Sequence, residues 1–212
     1  MILSYNKKTL PIDLETFGFV KREYINGKKI LNKCGRDFLY YGLHYYFPNK
    51  FKKESNNPFL IDKNKIFGFP VNAIFAWTMI QFYKVPRLFK ELGLSLSIGD
   101  REIKTFMDFI VAMINPHKKL AEEAICEVEE AIDAGFVVGI DFPFSLLGLI
   151  NHVIFVYGYD ENNLYVFDTH QVLGLEYEKI TDDNRYIMKI PKNIIKKRWT
   201  RFGRVWVMKK IF

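Results

Sequence analysis

His152-Val-Ile-Phe-Val-Tyr-Gly-Tyr-Asp-Glu-Asn-Asn-Leu-Tyr-Val-Phe-Asp168 consists of two apolar runs either side of a polar Asp-Glu-Asn-Asn turn. β-Branched and aromatic residues fill both runs, so the segment reads as two antiparallel strands closed by a short loop. If the loop is centred on Asp160, His152 and Asp168 stand directly opposite one another. Their Cβ atoms are then roughly 5 Å apart, close enough for a carboxylate to accept from an imidazole. A loop centred nearer Asn162 makes the pair diagonal instead. His170 has the same strand parity as Asp168 and is the alternative base, or a surface residue.

Further strands are expected over 136–141, 185–190 and 203–210, with a short helix over 192–199 between the last two. Upstream the texture is helical. Apolar residues recur at helical spacing over 35–47 before Pro48, from Pro70 to Phe82, over 101–114, and over 118–134, where Gly135 supplies the stop. The stretch between the second and third helices, with Pro86 and Gly93, reads as broken. Near the N-terminus, Asn26-Gly27 suits the turn of a tight hairpin between Phe17 and Leu31. The expected organisation is one domain over 1–212: an N-terminal hairpin (1–33), a mainly helical part (34–135) and a mainly β part (136–212). Helices followed by strands indicate an α+β fold in which a helical layer packs on an antiparallel sheet.

Composition narrows the classes. With 212 residues, 49% hydrophobic and 17% aromatic, the chain can bury one sizeable core and lacks the signature of disorder. The 31 Lys and Arg against 24 Asp and Glu leave a net charge of +7. The basic residues gather at 50–53 and 192–204 without any nucleic-acid-binding motif, so they read as solvated surface and no specific nucleic-acid partner is expected. Lys7 and Lys8 precede no apolar run of a secretory signal, and the most apolar stretch, 136–157, holds Asp141, Pro143, Asn151 and His152, too costly for a membrane span. Two cysteines form no disulfide framework, and Cys126 falls inside a helical pattern as a small apolar residue. A reducing, cytoplasmic location follows as the expectation.

Cys34 is the residue that gives His152 and Asp168 something to do. It sits at the start of the 35–47 helix, and a thiol becomes a nucleophile as thiolate, a form favoured by a helix N-terminus and an adjacent imidazolium. The roles are then Cys34 as nucleophile, His152 as proton shuttle, and Asp168 as the group that orients and stabilises the imidazolium. Taken singly, each has a bland reading: a buried cysteine at a helix start, a core histidine, a cap near a turn. A zinc site from Cys34, His152, Asp168 and His170 has suitable ligand types but no standard spacing, and neither metal nor cofactor is expected. His44 and His117 read as structural.

Asn32-Lys-Cys34-Gly35 opening a helix, Ala131-Ile-Asp-Ala-Gly135 before a buried strand, Asn151-His152 through Gly158-Tyr-Asp, and Val166-Phe-Asp168 together resemble the bacteriocin-processing cysteine peptidases and their stand-alone relatives. The likeness runs from about Cys34 to the C-terminus and includes Trp199 and Gly203 before the last strand. It implies a papain-like fold, a Cys-His-Asp triad, and cleavage of a peptide bond, typically after paired glycines. Relatives also include amide-forming acyltransferases, so the implied substrate is a peptide or an acylated small molecule. Two departures stand out. Members usually carry an oxyanion-donating Gln before the Cys, whereas this chain has only Gln81 and Gln171, leaving Asn26 and Asn32 as amide candidates. Removing such a donor typically costs about 100 to 1000-fold in rate, which keeps open a catalytically weakened peptide-binding module. Arg36-Asp37 replaces the usual small or apolar residues and is expected to alter the entrance to the site.

Overall fold

The structure is a computed structural model that describes residues 7–12, 24–25, 28–29, 34–52, 58–59, 84–115, 119–143, 151–168, 175–180 and 187–211. The expected 70–82 helix, the whole of the turn at Asn26-Gly27, Asn32, His117 and His170 lie outside these residues. The arms of the hairpin, β2 (Tyr24–Ile25) and β3 (Lys28–Lys29), do pair antiparallel, with Ile25 opposite Lys28.

Among the described residues, the core of the fold is a nine-stranded antiparallel sheet. Its members in chain order are β1 (Lys8–Thr9), β4 (Leu94–Ile98), β5 (Arg101–Glu102), β6 (Val137–Pro143), β7 (Asn151–Tyr159), β8 (Asn163–Phe167), β9 (Glu178–Lys179), β10 (Ile187–Pro191) and β11 (Arg204–Lys210). They run β5-β4-β11-β6-β7-β8-β10-β9 across the sheet, and β1 pairs with the end of β7. Among the described residues five helices accompany it: α1 (Cys34–Tyr46), α2 (described over 84–92), α3 (Phe106–Ile114), α4 (Ala121–Asp133) and α5 (Lys192–Arg198). None of the described helices is long and apolar enough to cross a membrane.

The mixed α+β architecture is as expected, but the helical cover lies on both faces of the sheet. Strand parity shows why. Val153, Phe155 and Tyr157 of β7, with Trp206 and Met208 of β11, join one core cluster with α1, Phe89 of α2 and Phe109 of α3. Ile154 and Val156, with Val205 and Val207, join a second with α4 and with Ile194 and Ile195 of α5. Successive side chains point to opposite faces, so a strand buried on both sides is apolar throughout, which is how the sequence of β7 reads.

The expected broken stretch is also corrected. Residues 84–92 are helical, so Pro86 lies within a helix and not in a break. Leu94-Ser-Leu-Ser-Ile98 follows as β4, with its Leu and Ile residues buried and its serines half-buried. Arg101 and Glu102 belong to β5, so the expected 101–114 helix begins only at Phe106. The region expected to be mainly helical therefore supplies two strands to the sheet, β4 pairing with β11 through Trp206 opposite Ile98.

α4 ends as the sequence anticipates, with Gly135 at φ +73°. Cys126 lies within it, as expected, and is exposed. A buried arginine ties the last strand to the helical layer: Arg204 Nε donates to the carbonyl of Ala112 at 2.8 Å, and Nη1 to Asp141 Oδ2 at 3.3 Å.

Candidate active site

The hairpin of β7 and β8 closes through Asp160. Its Oδ1 accepts from the amides of Asn162 (2.8 Å) and Asn163 (2.7 Å), and Tyr165 Oη donates to Oδ2 at 2.7 Å. Next to the turn, Tyr159 pairs with Leu164 and Gly158 with Tyr165. Beyond an irregularity at Tyr157 the register shifts, to Val156 with Val166 and Phe155 with Phe167. Continued one step, this register sets Asp168 against Ile154, two residues along the strand from His152. The direct opposition expected for a loop centred on Asp160 is thereby corrected: the pair is diagonal. Diagonal neighbours remain within reach of long side chains.

That reach is used. His152 Nε2 lies 2.9 Å from both Asp168 Oδ1 and Oδ2, and the two residues are only 6% and 3% exposed. Burial by itself favours the neutral imidazole, but hydrogen bonds to Asp168 and to Cys34 outweigh it, pushing the His152 pKa up to about 10. With Nε2 engaged by the carboxylate, Nδ1 is the ring nitrogen left to serve the thiol.

Cys34 is the first residue of α1 and is half-buried against the first core cluster. The helix is held by its aromatic face. The Phe38 ring meets Trp206 edge-on at 5.6 Å, and Tyr41 meets Phe155 at 5.7 Å and Phe167 at 5.2 Å. Gly139 of β6 makes room, since a Cβ there would stand 2.8 Å from Phe38 Cδ2 and 3.0 Å from the Ile154 carbonyl. These contacts bring the first turn of α1 to the end of β8, where Cys34, Asp37, Phe38, Phe167 and Asp168 line one narrow gap.

The three expected site residues are thus brought together, while both oxyanion candidates, Asn26 and Asn32, lie outside the described residues, as does His170. Of Arg36-Asp37, Asp37 lines the gap beside Cys34. Arg36 is 2% exposed and donates to Asp37 Oδ1 through Nε (3.0 Å) and Nη2 (2.8 Å), so the pair is buried together in the first turn of α1. His44 is structural in its contacts, with Nδ1 3.0 Å from the Phe51 carbonyl. Sequence reasoning missed Tyr177, whose hydroxyl donates to Asp168 Oδ2 at 2.6 Å. No periodicity or motif marks it. No group of three or more His, Cys, Asp or Glu among the described residues is arranged to hold a metal ion. Comparison of the chain with protein-family models, with curated proteins and with solved structures finds no match to any of them.

Proposed function

We propose that this chain is a papain-like cysteine hydrolase acting on a peptide or amide bond, with Cys34 as nucleophile, His152 as acid and base, and Asp168 as its orienting carboxylate. The observation that carries the reading is the buried His152–Asp168 hydrogen bond, with the His152 pKa raised further by a half-buried cysteine at a helix N-terminus. In this mechanism the Cys34 thiolate attacks the carbonyl carbon and forms a C–S bond. The His152 imidazolium gives its proton to the nitrogen that leaves as amine when the C–N bond breaks. The neutral imidazole then takes a proton from water, whose oxygen attacks the thioester, releasing the acid and returning the thiol's electron pair to sulfur. If an amine replaces water in that last step, the same site is an amide-forming acyltransferase.

A second reading, a weakened papain-like module that holds a peptide without cutting it, is favoured by one sequence fact: no Gln precedes Cys34. The discriminating experiment measures iodoacetamide alkylation of Cys34 against pH in a Cys126→Ser background, for the otherwise unchanged chain and for His152→Ala. Alkylation that persists at acidic pH and depends on His152 is the expected outcome, and turnover of peptide amides and thioesters then separates hydrolase from binding module. An ordinary thiol titration, indifferent to His152 in a folded protein, rules out the nucleophile assignment.

A further inference from the structure

Asp168 carries more than its imidazole partner. Tyr177 Oη donates to Oδ2 at 2.6 Å, and the same Oδ2 lies 2.9 Å from His152 Nε2. Resting on the triad reading above, we propose that Tyr177 is a positioning residue: its hydroxyl fixes the rotation of the Asp168 carboxylate beneath His152 and holds that carboxylate in its ionised form as the pH falls.

Three observations bear on this. The Oδ2 atom receives donors from two different elements, His152 Nε2 at 2.9 Å and Tyr177 Oη at 2.6 Å, and two donors on one oxygen restrict a terminal torsion that is otherwise broad for a carboxylate. Next, Asp168 is 3% exposed, and burial alone favours the protonated acid; a charge-assisted phenol bond opposes this. Finally, the phenol is presented by an anchored segment. Leu175 is buried in the second core cluster, the Tyr177 amide donates to the Leu175 carbonyl at 3.1 Å, and the next two residues form β9, in which Glu178 pairs with Lys189 of β10. Tyr177 is thus tied on both sides of the residue that needs to stay still.

Among the described residues, the titratable groups that bond to Asp168 or line the same gap are His152 on β7, Cys34 and Asp37 on α1, and Tyr177 itself. The charge of Asp37 is matched by Arg36 at 2.8 Å.

The test is the pH profile of Cys34 alkylation by iodoacetamide, again in the Cys126→Ser background, for Tyr177→Phe, Asp168→Asn and the double variant. Tyr177→Phe is expected to slow alkylation about tenfold on the acid side, the scale of one charge-assisted hydrogen bond, and to move the acid limb upward by about one pH unit. The double variant should match Asp168→Asn alone to within about twofold, since Tyr177 acts through Asp168. Tyr177→Leu, measured alongside, removes the hydroxyl with different packing, so an acid-limb shift common to both variants belongs to the lost bond. An unmoved acid limb in either variant when folded, or losses that multiply in the double variant, overturns the assignment while leaving the triad standing. Alkylation indifferent to His152→Ala and Asp168→Asn overturns both.

Discussion

Asp168→Asn keeps the shape of the buried couple and removes its charge, and the effect should be visible in stability as well as chemistry. In the native protein the His152 pKa is raised from 6.5 to about 10. A group whose native pKa is raised contributes stability that is fully present below its unfolded value, here 6.5, and is lost as the pH climbs through the native value, near 10. At about 1.4 kcal/mol per unit the interval corresponds to an upper bound of about 5 kcal/mol. Replacing the carboxylate by an amide leaves burial as the main influence on the ring, which then folds in its neutral form. Urea unfolding of the two proteins at matched pH cancels the contributions of other groups. Between pH 6.5 and pH 10.5 the stability gap should fall from about 2 to 5 kcal/mol to about 1 kcal/mol, the worth of an altered neutral hydrogen bond. A gap that stays constant across this range refutes the reasoning, because His152 would then carry no proton in the native state that it lacks in the variant.

Three other outcomes are expected. Gly139→Ala places a Cβ 2.8 Å from Phe38 and 3.0 Å from the Ile154 carbonyl, and should cost about 1 to 3 kcal/mol in chemical denaturation while slowing Cys34 alkylation, because α1 has to retreat from the sheet. Arg36→Met strips the buried Asp37 of its counter-charge and should cost about 3 to 5 kcal/mol; adding Asp37→Leu should recover much of that loss, and failure of the double variant to recover speaks against an electrostatic role. Leu10→Ala removes a core side chain that is 4% exposed and should cost about 2 to 3 kcal/mol, with faster hydrogen exchange at the Leu10 amide, which donates to the Tyr157 carbonyl at 2.8 Å, and little change in Cys34 alkylation.

What the sequence disclosed follows the strength of its local signals. β7, β8, β10, β11, α4 and α5 carry long periodic or apolar runs, and their expected and observed bounds differ by only a few residues. β4 was legible in the alternation of Leu94, Leu96 and Ile98 with Ser95 and Ser97, but Pro86 and Gly93 drew attention to breaks, and its pairing with β11 is a long-range choice that no local pattern encodes. The hairpin register failed by a small step for a definable reason. The loop closes beyond Asp160, and the irregularity at Tyr157 then changes the pairing. Bulges of this kind follow from the geometry of both strands together. Cys34 and His152 could be named because the chain has only 2 Cys and 4 His, and Asp168 because it follows His152 across a hairpin. Tyr177 is one of 12 tyrosines, and only the fold singles it out. The burial of Arg36 was equally invisible, since an arginine in the first turn of a helix ordinarily faces water.

The position of β11 has a consequence for the order of assembly. It lies between β4 and β6, two strands made long before it, and no other described strand bridges them. A ribosome releasing this chain from its N-terminus would present β6, β7 and β8 as one meander and β4 with β5 as a separate, unjoined ribbon. Only when Arg204–Lys210 emerges can the two halves be stitched edge to edge, and with them Trp206, against which Phe38 of α1 is packed. Such pairings between distant parts of a chain are the slow steps of folding. The helix bearing Cys34 therefore gains its final seat late, and a half-synthesised chain keeps its nucleophile apart from a finished site.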